Sequence, residues 1–278
     1  VVGALAANRE IYSVGMGSSV GDIQARWDKA IANPIAPTLV ENAACQEVIH
    51  QGLDLQGEGH GLDMLPIPIS TPGFDSAPTL TATNVITVDP ETGVQNMGTY
   101  RAALKATDRL VVRMVARPGG AGGWIHWNKY RARKERMPIS IVLGAAPVVV
   151  FTSPQKLAVD LDEYAVAGAV AGRPIEMVKC LTNDLLVPAG SEIVIEGYID
   201  TEMVSADGLV RGNQATLDYC AFEPQERPIG IQLFGDKPAD LAEAARMVEG
   251  YGELLDINMG CPVRKVVGTG AGSALLQE

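Results

Sequence analysis

The sequence predicts an α+β protein made of two parts, a β-rich and barrel-like body followed by a strand–helix–strand tail. Two observations lead to this fold class. Between about residues 81 and 200, short apolar and β-branched runs alternate with turn residues, and one helical pattern interrupts them. From about residue 201 the pattern changes to a strand, an amphipathic helix and a second strand. The 278 residues are enough for two ordinary domains with a sizeable core.

The first 80 residues are a region of short apolar runs separated by glycine and proline. Residues 21–32 carry apolar side chains at helical spacing, which predicts one amphipathic helix. Four prolines between positions 66 and 78 then exclude a continuous helix. We therefore expect a partial α/β region over residues 1–80.

The central region, about residues 81–200, is predicted to form the barrel-like sheet. One helix is predicted over residues 161–171. The predicted strands are residues 82–88, 110–116, 139–143, 148–151, 175–180 and 192–199.

The tail, residues 201–278, is predicted to contain strands at 229–234 and 254–258 with a helix at 238–251 between them. A connection of this length is typical of a βαβ crossover, so the two strands should be parallel.

Composition and charge narrow the classes of function. The chain has 22 Lys and Arg against 33 Asp and Glu, a net charge of −11, which argues against binding nucleic acid or anionic membranes through a global positive field. No apolar run approaches a membrane span, and the first ten residues lack a secretory signal. The four cysteines are widely spaced without a CxxC pair, so we expect free thiols and a cytoplasmic protein.

Two short segments carry candidate chemistry. In DPETGVQNMGTYR, residues 89–101, a turn is predicted to present Asn96, Gly98 and Arg101. An amide oxygen suits a hard cation and a guanidinium suits a carboxylate or phosphate, although a turn with a solvated arginine explains the same pattern. Glu163 stands in the first turn of the predicted helix, where an acidic residue also simply complements the helix dipole.

Four strings of the sequence together resemble the UbiD family of decarboxylases. They are NMGTYR, the helix start DEYAVAGAV, VKCLTNDLLVP and SEIVIEG, and the resemblance extends over about residues 1–200. It implies a split β-barrel that binds prenylated FMN, or FMN, with a divalent metal such as Mn²⁺ and a monovalent ion such as K⁺ at the phosphate. It also implies a small aromatic or α,β-unsaturated acid as substrate, loss of CO₂ from its adduct with the flavin, and a homo-oligomer.

The resemblance assigns roles to five residues of this chain. Asn96 and Glu163 resemble the metal ligands, and Thr81 and the backbone around Gly98 resemble flavin contacts. Arg101 resembles the arginine beside the flavin and the substrate carboxylate. Physical chemistry agrees with the metal assignment, because amide and carboxylate oxygens are hard-metal ligands.

The chain departs from the family pattern at two places. Residues 118–122 read PGGAG where some members have a histidine ligand, so we expect water in that position. After residue 199 the chain reads DTEMVSADGLVRGN, without the Gly/Pro-rich loop that carries two catalytic glutamates, and Glu202 has the wrong spacing to replace them. The family's C-terminal domain is also not recognised, so we expect flavin binding with impaired decarboxylation.

The tail resembles a different family, the tRNA-dihydrouridine synthases. The strings are TEMVSADGLVRGN, RPIGIQLFG and DINMGCPVRKVVGTGAGSALL. That family consists of TIM-barrel enzymes that reduce uridine in tRNA with FMN and NADPH. The resemblance implies that Cys261 is a general acid and that Gln232 and Asn258 contact the flavin. It covers about three of eight strand–helix units, a partial barrel.

The sequence therefore predicts a fusion near residue 200 of two incomplete flavoenzymes. Decarboxylation is the primary functional hypothesis, because the UbiD-like part is the longer. Reduction of tRNA uridine is the alternative, and a non-catalytic flavin-binding or inert chain is the third possibility.

Overall fold

The structure, a computed structural model, contains two compact units. It describes residues 5–69, 77–114, 121–133, 135–158, 161–199, 203–217, 220, 230–252, 254–259 and 264–276. The described residues through Tyr198 form the first unit, and those from Ile199 onward form the second. No helix among the described residues is long and apolar enough to cross a membrane.

The first unit contains five α-helices and ten strands within its described residues. In chain order they are α1 (Arg9–Met16), α2 (Ile23–Ala32), β1 (Thr38–Leu39), β2 (Thr79–Leu80), β3 (Asn84–Val88), β4 (Gln95–Gly98), β5 (Arg101–Ala106), β6 (Arg109–Arg113), α3 (Gly122–Arg133), β7 (Met137–Leu143), α4 (Pro147–Thr152), α5 (Glu163–Ala171), β8 (Glu176–Lys179), β9 (Leu186–Pro188) and β10 (Ile193–Ile199).

These strands form three sheets. The largest has the order β10-β7-β3-β4, with β3 antiparallel to both β4 and β7. A second sheet has the order β1-β8-β9, and a third has the order β2-β5-β6. The mixed α+β class expected from the sequence is therefore confirmed, with several sheets rather than one.

The main core of the first unit lies among the largest sheet, the second sheet and helices α4 and α5. Strand β7 is almost entirely buried, and α5, with the sequence EYAVAGAVA, is buried on nearly all sides because its small residues allow close packing. Helix α5 packs against α2 and α4. It begins after the cap residue Asp162 and ends at Gly172, which has a left-handed backbone with φ of 74°. The predicted helices at 21–32 and 161–171 are confirmed as α2 and α5.

A single side chain joins the edges of two sheets. The amide of Gln95, on edge strand β4, donates to the Leu186 carbonyl at 3.0 Å and accepts from the Leu186 N–H at 2.7 Å. Leu186 begins β9, which is an edge strand of the second sheet. Both hydrogen bonds are of the kind that a neighbouring strand would make.

One predicted strand is wrong. Residues 148–151 lie in helix α4, which begins at Pro147, buries Val149 and Phe151, and packs against α1 and α5. A proline at the first helical position loses no hydrogen bond, so it is compatible with a helix start. A short apolar run does not by itself distinguish a buried strand from a buried helix. Asn96, predicted in a turn, lies instead in strand β4.

The second unit is built on a parallel sheet. Its order is β11-β12-β13, and both pairings are parallel, which confirms the predicted strand–helix–strand arrangement. These three strands do not close a barrel, and the TIM-barrel assignment stays a prediction. Its described elements are β11 (Met203–Ser205), α6 (Ala206–Val210), α7 (Gln214–Leu217), β12 (Gly230–Phe234), α8 (Pro238–Met247), β13 (Leu254–Ile257) and α9 (Arg264–Val267).

The central strand and one edge strand of this sheet differ in burial. Ile231 and Leu233 of β12 are buried in a cluster with Ala244 of α8. Leu254 and Ile257 of the edge strand β13 are exposed, at 47% and 43%.

Candidate functional site

Strand β4 and helix α5 bring Asn96 and Glu163 into contact. Asn96 is paired with Thr87 in the β3–β4 ladder, and Glu163 is the first residue of α5. Asn96 Nδ2 donates to Glu163 Oε1 at 2.7 Å, although 67 positions separate the two residues. The prediction that these side chains approach each other is therefore confirmed, and their role as metal ligands stays a prediction.

The Glu163 carboxyl lies in an environment that disfavours its charge. Burial raises its pKa from 4.5 to about 7, and the nearby Asp162 carboxylate contributes to the rise. Hydrogen bonds from Asn96 and the backbone of Met97 oppose this effect only in part. Within the described residues no lysine or arginine forms an ion pair with Glu163. A cation at this position would relieve an uncompensated buried charge.

Tyr100 is a neighbour of the pair that the sequence did not predict. Its hydroxyl donates to Asn96 Oδ1 at 3.4 Å and accepts from the Gly123 N–H at 3.3 Å. Burial raises the pKa of the Tyr100 phenol, so the hydroxyl keeps its proton.

Glycines make room for this arrangement. A Cβ at Gly122 would lie 2.2 Å from Asn96 Oδ1, and a Cβ at Gly98 would lie 2.3 Å from the Tyr100 hydroxyl. Real atoms do not approach so closely, so any other residue at these positions would displace Asn96 or Tyr100. The glycines in NMGTYR and PGGAG were the sequence feature from which this close packing could have been predicted.

Further polar groups lie at the start of β3, just after β4 and just after α4. Thr83 Oγ1 donates to the Tyr100 carbonyl, and Thr99 and Ser153 share a hydrogen bond of 2.9 Å between their hydroxyls. Asn84 is 1% exposed, and its Oδ1 has no hydrogen-bond partner among the residues that the structure describes. A buried acceptor without a donor is costly, and a bound polar ligand is one way to satisfy it.

The remaining residues predicted for this site lie at its margin. Thr81 is exposed in the connection between β2 and β3. Gly98 ends β4, is buried and pairs with Val85. Arg101 begins β5, is exposed, and has no hydrogen-bond or ion-pair partner within the described part of the chain. That Arg101 shares a pocket with Asn96 stays a prediction.

The donor set fits a divalent metal ion in part. The Asn96 amide and the Glu163 carboxylate are oxygen donors in contact, as Mn²⁺ or Mg²⁺ requires. No group of three or more His, Cys, Asp and Glu side chains converges among the described residues. Further ligands would have to come from water or from a phosphate.

The second unit contains a polar cluster of its own. Asn258, just after β13, donates from Nδ2 to Gln232 Oε1 of β12 at 2.9 Å, and the Gln232 amide donates to Asp256. Neighbouring parallel strands thus bring Gln232 and Asn258 together, as predicted. Cys261 lies outside the described residues, so its proposed role has no structural counterpart.

Comparison with known families places the two parts of the chain. Residues 38–217 match the model of the UbiD family, described as 3-octaprenyl-4-hydroxybenzoate carboxy-lyase Rift-related domain. Residues 194–278 match the dihydrouridine synthase model. The first match covers more than half of the chain, and the chain belongs to the UbiD family.

Solved structures agree with this assignment. The UbiD-class enzyme HmfF from Pelotomaculum thermopropionicum, in complex with FMN, is 33% identical, with a TM-score of 0.63 over 70% of this chain and 42% of that one. An evolved dimeric form of HmfF in complex with prFMN has the same identity and TM-score, over 70% of this chain and 44% of that one.

More distant relatives are decarboxylases. The vanillic acid decarboxylase of Sedimentibacter hydroxybenzoicus, in its closed form, is 28% identical, with a TM-score of 0.60 over 70% of this chain and 42% of that one. The 3,4-dihydroxybenzoic acid decarboxylase of Klebsiella pneumoniae is 26% identical, with a TM-score of 0.61 over 70% and 40%. The chain thus spans less than half the length of the solved structures it matches.

Proposed function

We propose that the first unit is the cofactor-binding part of a UbiD-like decarboxylase. It would act on an aromatic or α,β-unsaturated acid and bind FMN or prenylated FMN through a divalent cation. The observation that carries the proposal is the contact of 2.7 Å between the Asn96 and Glu163 side chains in a chain of this family. Relatives in complex with FMN and prFMN, and relatives named for vanillic and 3,4-dihydroxybenzoic acids, support it.

Each predicted residue has a role in this proposal. Asn96 and Glu163 would hold the divalent cation, such as Mn²⁺, and a monovalent cation such as K⁺ would also be required. Thr81 and the backbone at Gly98 contact the flavin. The guanidinium of Arg101, which has no partner among the described residues, would take the carboxylate of the acid through two parallel N–H groups. When bound, the prenylated flavin supplies the electron sink for loss of CO₂.

We also propose that turnover is impaired. Departure of CO₂ leaves a carbon that must receive a proton from a positioned acid. In the family two glutamates after the strand corresponding to β10 act with the arginine, and this chain reads DTEMVSADGLVRGN there. Arg101 therefore lacks these carboxylate partners.

A binding titration tests the site. Purified chain is mixed with Mn²⁺ and with FMN or prenylated FMN, and flavin fluorescence is followed. We expect the wild type to bind flavin and Asn96→Ala to bind at least about tenfold more weakly, since it loses a metal ligand. Asn33→Ala, which changes an exposed asparagine at the end of α2, is the matched control. Equal binding by Asn96→Ala and the wild type would overturn the proposed site.

A turnover assay tests the impairment. The loaded protein is incubated with vanillic or 3,4-dihydroxybenzoic acid, and released CO₂ is measured. We expect little or no release. Robust release that Arg101→Ala abolishes would show that another acid serves, and would refute the impairment.

The organisation of the chain is part of the proposal. The two family matches overlap over residues 194–217, and the compact units divide after Tyr198. We propose that a UbiD-like region is fused near residue 200 to a dihydrouridine-synthase-like region. We also propose that the chain forms homo-oligomers, as a dimeric relative suggests, which light scattering tests.

The second candidate function is reduction of uridine in tRNA by the tail. The observation that favours it is the contact between Gln232 and Asn258 on neighbouring parallel strands. Against it, residues 201–278 contain 6 basic and 12 acidic residues, which weakens attraction to tRNA. Incubation with FMN, NADPH and unmodified tRNA should give no dihydrouridine. Product that is lost in Cys261→Ala would make this the primary function, whereas absence of flavin binding and of both activities would indicate an inert fusion.

A further inference from the structure

Tyr100 lies between the Asn96 amide and the first turn of α3. Its hydroxyl bonds to Asn96 Oδ1 and to the Gly123 N–H. The side chain packs directly against two glycines. A Cβ at Gly98 would lie 2.3 Å from the hydroxyl, and a Cβ at Gly123 would lie 3.2 Å from the ring. The phenol therefore faces the side of Asn96 that is turned away from Glu163.

The Asn96 amide has the orientation that suits a site without a cation. Its Nδ2 faces Glu163 and donates to the carboxylate, so that Oδ1 faces Tyr100. A cation shared with Glu163 needs Oδ1 on the Glu163 side, because hard cations bind oxygen. Cation binding therefore requires the amide to rotate by about half a turn, which brings Nδ2 to Tyr100.

A tyrosine hydroxyl can serve both orientations, because it has one donor hydrogen and two acceptor lone pairs. With Oδ1 toward it the hydroxyl donates, over a long distance of 3.4 Å. With Nδ2 toward it the hydroxyl accepts. A phenylalanine would leave Nδ2 without a partner in the cation-bound orientation, and an unsatisfied donor is costly in a site of this burial.

From these contacts we propose that Tyr100 is a positioning residue, which orients the Asn96 amide and thereby raises the affinity of the Asn96–Glu163 pair for a divalent cation. The inference rests on the cation site of the proposed function. Tyr100 does not itself contact the cation. It acts through Asn96, and the N-terminus of α3 holds it in place.

Manganese affinity measures this effect without any activity assay. Metal-free wild type, Tyr100→Phe and Tyr130→Phe are titrated with Mn²⁺, and free Mn²⁺ is followed by electron paramagnetic resonance. Loss of a residue that orients a metal ligand weakens metal affinity about 10- to 100-fold, and we expect this range for Tyr100→Phe. Tyr130→Phe is the matched control on α3, because the Tyr130 hydroxyl makes no hydrogen bond within the described residues, and its affinity should not change.

Further variants separate this inference from the function on which it rests. If the wild type does not bind Mn²⁺, or Asn96→Ala binds as tightly as the wild type, the proposed site fails and the inference fails with it. If Asn96→Ala loses binding while Tyr100→Phe keeps wild-type affinity, the site stands and the role of Tyr100 is overturned.

A spectroscopic readout tests the rotation itself. The side-chain NH₂ signals of Asn96 are assigned in ¹⁵N-labelled protein by their absence in Asn96→Ala. We expect them to shift when Mg²⁺ is added to the wild type. Unchanged Asn96 signals at saturating Mg²⁺ would overturn the proposed reorientation, and circular dichroism verifies that each variant is folded.

Discussion

The two units each bring polar side chains together, but the clusters differ in what covers them. Asn96 and Glu163 meet at 2.7 Å, and Asn258 and Gln232 meet at 2.9 Å. The first pair lies between a helix start and a packed sheet, and burial raises the pKa of Glu163 to about 7. The second pair borders β13, an edge strand with exposed apolar side chains. Both hydrogen bonds are partly buried, so the difference lies in the Glu163 carboxyl, whose desolvation supports the proposed cation site.

The largest expected effect compares two isoleucines on strands. Ile86 of β3 is fully buried, whereas Ile257 of β13 is 43% exposed. Ile86→Ala should lower the free energy of unfolding by about 2–5 kcal/mol, because it leaves a cavity. Ile257→Ala should change it by less than about 1 kcal/mol. Urea denaturation followed by circular dichroism measures both. An equal loss for Ile257→Ala would show that β13 is covered in solution, and would remove the contrast between the units.

The next effect is a dependence of stability on pH. The pKa of Glu163 is about 7 in the folded state and near 4.5 without burial. Between about pH 4.5 and pH 7, Glu163 of the folded, metal-free protein therefore keeps a proton that Glu163 of the unfolded chain has lost. Stability should fall as pH rises from about 4.5 through about 7, by on the order of 3 kcal/mol. Glu163→Gln should remove this component, which unfolding of both proteins at about pH 5 and about pH 8 measures. The same difference between the two proteins at both pH values would contradict the desolvated state of Glu163.

A smaller effect on stability is expected at Gly122, the glycine that packs against Asn96. Alanine at a first helical position normally favours the helix, but a Cβ at Gly122 would lie 2.2 Å from Asn96 Oδ1. Gly122→Ala should therefore destabilise the protein by about 1–3 kcal/mol through overpacking. Gly190→Ala, with no atom within 4 Å of its Cβ, is the control, and it should stay within about 0.5 kcal/mol. A stabilised Gly122→Ala variant would mean that Asn96 moves away freely.

The smallest effect compares the helix caps of the two units. The Asp162 side chain accepts from the N–H groups of Tyr164 and Ala165 at 2.8 and 3.4 Å, whereas Ser205 accepts from Gly208 at 3.1 Å. Asp162→Ala should cost about 1 kcal/mol, and Asp162→Asn should retain most of the cap. Ser205→Ala should cost less than Asp162→Ala, because α6 has five residues. Thermal unfolding measures all three, and a larger loss for Ser205→Ala would reverse the expected order.

The sequence predicted the pair at the site through its resemblance to a family, and not through local pattern. Local pattern placed Asn96 in a turn, while the strand around it depends on pairing with β3. Glu163 was correctly placed in the first helical turn, since Asp162 and the small apolar residues are local signals. That its carboxyl is buried depends on packing from distant segments, which periodicity does not show.

Tyr100 illustrates why the rest of the site could not be predicted. Its partners are Asn96, four residues before it, and Gly123, twenty-three residues after it. No rule of spacing connects the residues after β4 with the start of α3, and the sequence pattern did not predict a helix there. The predicted strand at residues 148–151 was wrong for a related reason. The helix that these residues form depends on packing against α1 and α5.

The contact between the edges of β4 and β9 in the first unit depends on the hydrogen bonds of one side chain, that of Gln95. Elsewhere the strands of these sheets pair through backbone hydrogen bonds, which most side-chain substitutions leave in place. Between β4 and β9 the rung is a side-chain amide, with its two bonds to Leu186. The Leu186 N–H should resist exchange with deuterium in the wild type as strand amides do, and should lose that protection in Gln95→Ala. Substitution of this one residue can therefore break the contact between the edges of the two sheets.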